Sequence, residues 1–282
     1  MVFLNGCPLR CNWCSNPESQ PSRPDLALNL NRCMGMSECD RCLKVCPTAA
    51  IIPAESGKVS LNRQLCNLCF ECIPECPTGA LHAFGSLRSV GEVMAAVEAD
   101  GLFYARSGGG MTLSGGEPLI QGEFAVALLR EAKRRRIDTA IETCGHVEWQ
   151  VLQDAAELSD TVFFDIKCAD PAKHKAFTGV DNTLIVANLR KLVTTFPQLS
   201  ITVRTPLVPG FNDSAKDISE IIGLLRGMPA VTYEVLPYHR LGMPKYEYLG
   251  RTYLLGDATL DPATERALKE LVSQYAASRG AQ

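Results

Sequence analysis

The sequence has no marked excess of either charge, no apolar run of membrane length and no secretory leader before its first cysteines. The formal net charge is −3, so nothing in bulk suggests a nucleic-acid surface. The one dense basic run, Lys133-Arg134-Arg135-Arg136, closes an expected helix, where the dipole favours cations. No stretch approaches the ~20 consecutive apolar residues of a membrane span, so no membrane partner is expected. Thirteen cysteines without an export signal point away from disulfides and toward metal in a reducing, cytoplasmic compartment. Cysteine is nearly absent after residue 85. Cys144 and Cys168 belong to no run there and are expected to be ordinary buried thiols. The 282 residues, 46% of them hydrophobic, suffice for one large domain or two smaller ones with a substantial core.

Residues 5–18 read NGCPLRCNWCSNPE, with Cys7, Cys11 and Cys14 inside eight positions. Three thiols leave one over for disulfides, and structural zinc is four-coordinate. A four-iron cluster held by three thiolates keeps one iron open to something that is not protein, and soft thiolates suit such clusters.

Residues 28–51, LNLNRCMGMSECDRCLKVCPTAAI, and 59–81, VSLNRQLCNLCFECIPECPTGAL, are two copies of one unit. Cys39, Cys42 and Cys46 match Cys69, Cys72 and Cys76, and both copies end Cys-Pro-Thr. The second copy has the spacing of the bacterial ferredoxin run, whose fourth cysteine serves the other cluster. Cys66, Cys69, Cys72 and Cys46 are therefore assigned to one cluster, and Cys33, Cys39, Cys42 and Cys76 to the other. Met36 stands where the second copy has Cys66, so Cys33 must reach round a longer loop or leave a cluster short of a ligand. A pair of zinc knuckles is the competing assignment, and the Cys-Pro endings and the duplication argue against it.

Beyond residue 85 the pattern alternates. Helices are expected at 89–100, 121–136, 148–158, 171–178, 183–195, 214–227 and 261–276. Strands are expected at 138–143, 161–167, 200–207 and 231–237, with a short strand and glycine turn in 110–119 and a first strand in MVFL. Alternation with β-branched strands predicts a parallel sheet covered by helices. About six strands are too few for a closed eight-stranded barrel, and an open partial barrel or a doubly wound sheet fits. In either, chemistry sits at the carboxyl ends of the strands. The polar residues there are Ser114 to Glu117, Glu142, Thr143, Asp165, Lys167, Arg204 and His239.

Taken together, GCPLRCNWCSNPE, SGGEPL, ETCG, DIK, VPGFND and LPYH resemble the glycyl-radical-enzyme activating enzymes of the radical S-adenosylmethionine (SAM) superfamily, the pyruvate formate-lyase activase group. The double cysteine unit resembles the subgroup that activates choline, isethionate, hydroxyphenylacetate, glycerol or propanediol lyases and dehydratases. The resemblance implies a partial (β/α)6 barrel with an inserted dicluster ferredoxin domain. Residues 1–27 would supply the first strand and SAM-cluster loop, 28–84 the insert, and 85–282 the rest of the barrel. It implies three 4Fe-4S clusters, SAM and a monovalent cation. A glycyl radical enzyme would be the partner, and flavodoxin or ferredoxin the electron donor.

Residue by residue, the resemblance makes Cys7, Cys11 and Cys14 ligands of the SAM cluster, with SAM on the open iron. Lys167 joins them in the catalytic set. Gly115, Gly116 and Glu117 would approach the SAM amino group, the carboxylate accepting from it. Trp13 and Ser15 would lie along the adenosine, with Asn16 beside SAM. Asp165, Ile166, Lys167, Arg204 and His239 would surround its methionyl and ribose groups, and Arg204 or Lys167 would pair its carboxylate. Glu142 and Asp165 match a cation site, Glu142 being one carbon longer than the usual aspartate. Plain alternatives exist: a strand-end salt bridge for Asp165 and Lys167, a sheet-edge cap for Arg204, a loop histidine for His239. Two other functions compete: a ferredoxin fused to an unrelated α/β domain, which leaves Cys7, Cys11 and Cys14 without purpose, and a radical SAM enzyme with another substrate. Air is expected to destroy activity. Relatives carry a segment ahead of the first strand, so the start at Met1 is expected to be a truncation that weakens partner activation.

Overall fold

The computed structural model describes residues 1–228 and 231–280. Positions 229–230 and 281–282 of the expected 85–282 region lie outside them. In chain order, β1 (Val2–Leu4) leads into the cysteine loop and a 3₁₀ turn at Pro17–Ser19. Next come β2 (Asp25–Leu28), α1 (Arg41–Val45), β3 (Ile51–Pro53), β4 (Val59–Leu61) and β5 (Leu81–Phe84). The larger part follows with α2 (Val90–Glu98), α3 (Gly101–Ser107), β6 (Gly110–Gly115), α4 (Gly122–Arg134), β7 (Asp138–Thr143), α5 (Trp149–Ala156) and β8 (Thr161–Asp165). It continues with α6 (Pro171–Thr178), α7 (Thr183–Thr195), β9 (Ser200–Pro206), α8 (Ala215–Leu225), β10 (Val231–Leu236), α9 (Met243–Tyr248) and α10 (Pro262–Gly280). No described helix is long and apolar enough to cross a membrane.

The main sheet has the order β1-β6-β7-β8-β9-β10, and every neighbouring pair is parallel. Each connection steps one strand in the same direction. Right-handed crossovers then put every connecting helix on one face. That is the winding of a barrel, whereas a doubly wound sheet reverses its order midway. The sheet remains open, since β1 and β10 do not pair with each other. Its strands alternate inward apolar residues such as Met111, Leu113, Ile141, Val162, Phe164, Ile201 and Val203 into one core with the helices.

Caps set the helix boundaries. Ser89 and Glu92 form a reciprocal capping box at the start of α2. Asp170 caps α6 by accepting from Lys173 N, and Gly179 closes it in the left-handed region. Residues 25–84 form a separate small core of Leu26, Leu28, Ile51, Val59 and Leu81 among the cysteines. The antiparallel pairs β2–β5 and β3–β4 frame it. The pairing of Asp25 with Phe84 places 25–27 with this unit, three residues earlier than the expected boundary at 28.

Candidate functional site

Cys7, Cys11 and Cys14 lie on a loop that is tied down at both ends and at its middle. Gly6 N donates to Ser19 O at 2.7 Å and Cys7 N to Gln20 O at 3.1 Å. Arg10 N and Asn12 N donate to Thr178 O and Phe177 O at the end of α6, at 2.7 and 3.1 Å. The Arg10 guanidinium turns back onto Cys7 O and Leu9 O. Trp13 is buried and tilts against Phe211, ring centroids 4.7 Å apart.

All three thiols line one cavity at the carboxyl ends of the strands. Trp13, Ser15, Asn16, Gly115, Gly116, Glu142, Asp165, Lys167 and Arg204 line it with them. Gly115, at φ +125°, and Gly116 leave no room for side chains. A Cβ on Gly115 would sit 2.3 Å from Leu4 O, and one on Gly116 2.4 Å from Gly6 O. The glycines let the ends of β1 and β6 close together, and that closure brings the thiol loop over the strand ends.

Four charges form a strip across β7, β8 and β9. Arg204 Nη1 donates to Glu142 Oε1 at 2.9 Å, and its Nε and Nη2 face Asp165 Oδ1 at 3.4 Å. Lys167 Nζ donates to Asp165 Oδ2 at 2.9 Å. The guanidinium lies over the Phe163 ring at 4.7 Å. Burial by itself would lower the Lys167 pKa, but the Asp165 carboxylate outweighs it and holds it raised. Glu142 and Asp165, expected to share a monovalent cation, share the Arg204 guanidinium here.

Glu117, expected near the SAM amino group, lies just behind the cavity wall formed by Gly115 and Gly116. Its carboxylate is 0% exposed and does not line the cavity. It accepts from Leu119 N at 3.1 Å, Cys144 N at 2.7 Å and Thr143 Oγ1 at 2.9 Å. With these bonds it latches the turn after β6 to the end of β7. Ile166 points into the main core, while its amide donates to Arg204 O at 3.0 Å. His239 is exposed after β10, outside the cavity lining.

Three thiols facing one cavity suit a four-iron cluster that keeps one iron open. Burial pushes the Cys11 thiol up to about 12 and Cys14 upward. Positive charge arriving in the cavity reverses that effect, because coordinated thiols deprotonate.

The remaining eight run cysteines separate into two groups. Cys33, Cys39, Cys42 and Cys76 line one hollow with Leu28 and Leu81. Cys46, Cys66, Cys69 and Cys72 line another with Leu26, Ile51 and Leu61. Burial drives Cys42 to about 11, and neighbouring Cys39, Cys76 and Cys33 add to it. Cys72 goes to about 12 for the same reason beside Cys66, Cys69 and Cys46. The repeat is visible in detail. Thr48 and Thr78 each hold the preceding cysteine sulfur at 3.8 Å. Where the first copy has Met36, Gly35 at φ +94° turns the loop, and Cys33 faces the hollow.

Sequence reasoning missed several neighbours of the cavity. Gln20 lines it, beside Cys144, which is buried as expected. Asn212, fully buried, donates to Lys167 O at 2.7 Å and so fixes the residue next to Cys168. Its signal was the VPGFND motif itself. Tyr246 donates to Cys14 O at 3.0 Å, and nothing in its local sequence announces that.

A family model described as the radical SAM superfamily matches residues 76–224. The isethionate sulfite-lyase activating enzyme of Nitratidesulfovibrio vulgaris is 50% identical over 279 residues, covering 99% of this chain and 91% of that protein. The (2S)-3-sulfopropanediol sulfolyase activating enzyme of Bilophila wadsworthia is 48% identical, covering 98% and 91%. The choline trimethylamine-lyase activating enzyme of Oleidesulfovibrio alaskensis is 37% identical, covering 98% and 89%. Among solved structures, Streptococcus suis SuiB bound to precursor peptide SuiA has a TM-score of 0.56 at 14% identity, covering 99% of this chain and 46% of that one. That last likeness is one of fold alone.

Proposed function

The chain belongs to the glycyl-radical-enzyme activating enzymes of the radical SAM superfamily, and from that premise we propose how its own residues carry out the activation and which kind of partner it serves. The single observation that carries the reading is the cavity in which Cys7, Cys11 and Cys14 face Gly115, Gly116, Lys167, Asp165 and Arg204. The SAM-binding cluster, when present, supplies the electron that splits SAM into methionine and a 5′-deoxyadenosyl radical, which takes a hydrogen atom from one glycine of the partner.

Cys7, Cys11 and Cys14 would hold three irons of that cluster. The strip of Glu142, Arg204, Asp165 and Lys167 carries two positive and two negative charges. A methionyl group, with one ammonium and one carboxylate, can exchange into it without leaving a charge unpaired. In this reading Arg204 or Lys167 takes the carboxylate. The backbone edge at Gly115 and Gly116 faces the ammonium. Trp13, Ser15 and Asn16 line the adenosine side, and His239 follows β10, the last strand of the sheet.

Residues 25–84 are read as an inserted ferredoxin-like unit. Each of its two thiol groups would hold a four-iron cluster, and the pair would supply a route for electrons from flavodoxin or ferredoxin. The partner is a glycyl radical enzyme. Identities of 48–50% to activases of isethionate and sulfopropanediol sulfonate lyases, against 37% to the choline activase, favour a partner that cleaves a carbon–sulfur bond.

The test is anaerobic incubation of reconstituted protein with SAM, a reductant and a panel of glycyl radical enzymes, read by EPR. A glycyl radical doublet strongest with a sulfonate lyase is expected. SAM cleavage with no radical on any partner would overturn the reading.

A further inference from the structure

The two thiol groups of residues 25–84 are not equivalent in their relation to the barrel, and β2–β5 measures the difference. The Asp25–Phe84 end of this ladder is anchored to the larger part. Asp25 Oδ2 accepts from Arg251 Nη2 at 2.9 Å, and Asn5 lies against Gly85 and donates to Arg23 O at 3.1 Å. Cys46, Cys66, Cys69 and Cys72 share their hollow with Leu26. Cys33, Cys39, Cys42 and Cys76 share theirs with Leu28 and its partner Leu81. Two residues along a strand are about 7 Å, in the direction away from the barrel.

A second set of contacts points the same way. Arg63, three residues before Cys66, donates to Tyr248 O at 2.8 Å and Leu26 O at 3.0 Å, and pairs with Asp25 at 3.5 Å. Two residues before Tyr248, Tyr246 donates to Cys14 O at 3.0 Å. Arg251 closes the arrangement, donating to Pro17 O at 2.6 Å beside its pair with Asp25. Lys245 holds Asn16 at 2.9 Å and pairs with Glu18. The segment 242–251 thus grips the SAM-cluster loop on one side and the Cys66 run on the other.

We propose that Cys46, Cys66, Cys69 and Cys72 form the inner group, which passes electrons to the cluster of Cys7, Cys11 and Cys14, and that Arg63, Asp25 and Arg251 are positioning residues fixing that distance. Cys33, Cys39, Cys42 and Cys76 form the outer group, where the protein donor delivers. The inference rests on the relay reading above. In each step one cluster is oxidised by one electron and the next reduced by one. A low-potential flavodoxin or ferredoxin replaces the electron. Tunnelling falls steeply with distance and prefers bonded paths, so the order of the groups sets the route.

The experiment uses reconstituted holoenzyme, with iron counted in every variant. In fully reduced protein, a nearby paramagnetic cluster speeds the relaxation of the SAM-cluster EPR signal. Removing the inner group with Cys69→Ala/Cys72→Ala is expected to abolish that enhancement. Removing the outer pair with Cys39→Ala/Cys42→Ala should leave most of it. Equal or reversed effects overturn the order. Arg63→Met keeps all the thiols and is expected to lose part of the enhancement. Where it also loses iron, Arg63→Lys replaces it, keeping the charge without the fork. Wild-type relaxation in the iron-replete Arg63 variant overturns the positioning role. The relay reading is judged separately, by the rate at which reduced flavodoxin reduces the SAM cluster. Wild-type rates in both cysteine variants would remove the relay and with it the proposed electron route, while the relaxation data would still report which group is inner.

Discussion

Arg204 donates to Glu142 at 2.9 Å across 62 residues of sequence, and the same guanidinium faces Asp165. One cation therefore holds together the carboxyl ends of three strands at the mouth of the cavity. A ligand carboxylate entering there competes with protein carboxylates already in place, so the site is organised before SAM arrives.

Arg204→Met should leave those two carboxylates facing each other. A charge-assisted hydrogen bond is worth about 1.5–3 kcal/mol, so SAM affinity should fall about tenfold to a hundredfold. Calorimetric titration of reconstituted protein checks this, and unchanged affinity would make Arg204 a purely structural tie.

Replacing Cys7, Cys11 and Cys14 together with alanine should remove about four irons per chain, one cubane, and all SAM cleavage. Iron analysis and chromatography of 5′-deoxyadenosine read the two effects. Surviving cleavage in the triple variant would remove the triad from the chemistry.

Glu117→Gln keeps the shape of the side chain but puts a donor among groups that all donate to it. Stability should fall by about 1–3 kcal/mol, with SAM affinity of the folded fraction unchanged. A selective loss of SAM affinity without loss of stability would return Glu117 to the ligand shell.

Gly242→Ala places a Cβ 2.8 Å from Ser15 Cα and 2.9 Å from Ser15 O, both backbone. The start of α9 must then lift from the cluster loop, which costs about 1–3 kcal/mol. In reconstituted protein, Mössbauer spectra should show iron lost first from the site of Cys7, Cys11 and Cys14 and last from any iron held by the cysteines of residues 25–84. Full occupancy of the first site would contradict the tight seating.

His174 is buried, with Nδ1 donating to Val180 O at 2.7 Å. Burial holds its pKa below the ordinary value of 6.5. The unfolded chain takes up a proton below about 6.5 while the folded one resists. The contribution is therefore intact above that pH and lost as pH falls through the folded pKa. Denaturation midpoints measured from about pH 7.5 to 5 should fall more steeply below about pH 6.5 for the wild type than for His174→Asn. Parallel curves would place the pH dependence elsewhere.

Much of this was legible in sequence because it is locally encoded. Strands 138–143, 200–207 and 231–237 appear within a residue of expectation, since β-branched alternation and turn residues act over a few positions. The expected split of eight cysteines came from the duplicated ferredoxin-type run and its exchanged fourth cysteine, and the same sets line the two hollows. α3 and α9 were missed, being short and without a clear apolar stripe. The direction of each crossover, which decides barrel winding over a doubly wound sheet, appears only in the strand order.

By itself, then, the sequence determined which residue types stand at the strand ends and which thiols belong together, because spacing and periodicity are properties of the chain near each residue. Tertiary structure decided what those side chains do. Glu117 is turned inward by the Cys144 amide and the Thr143 hydroxyl at the end of a neighbouring strand, Arg204 lies between two carboxylates, and Tyr246 reaches Cys14 across 232 residues. Those partners are chosen by packing and burial, where each polar group must find an acceptor or donor within reach, and that reach is set by the fold and not by separation along the chain.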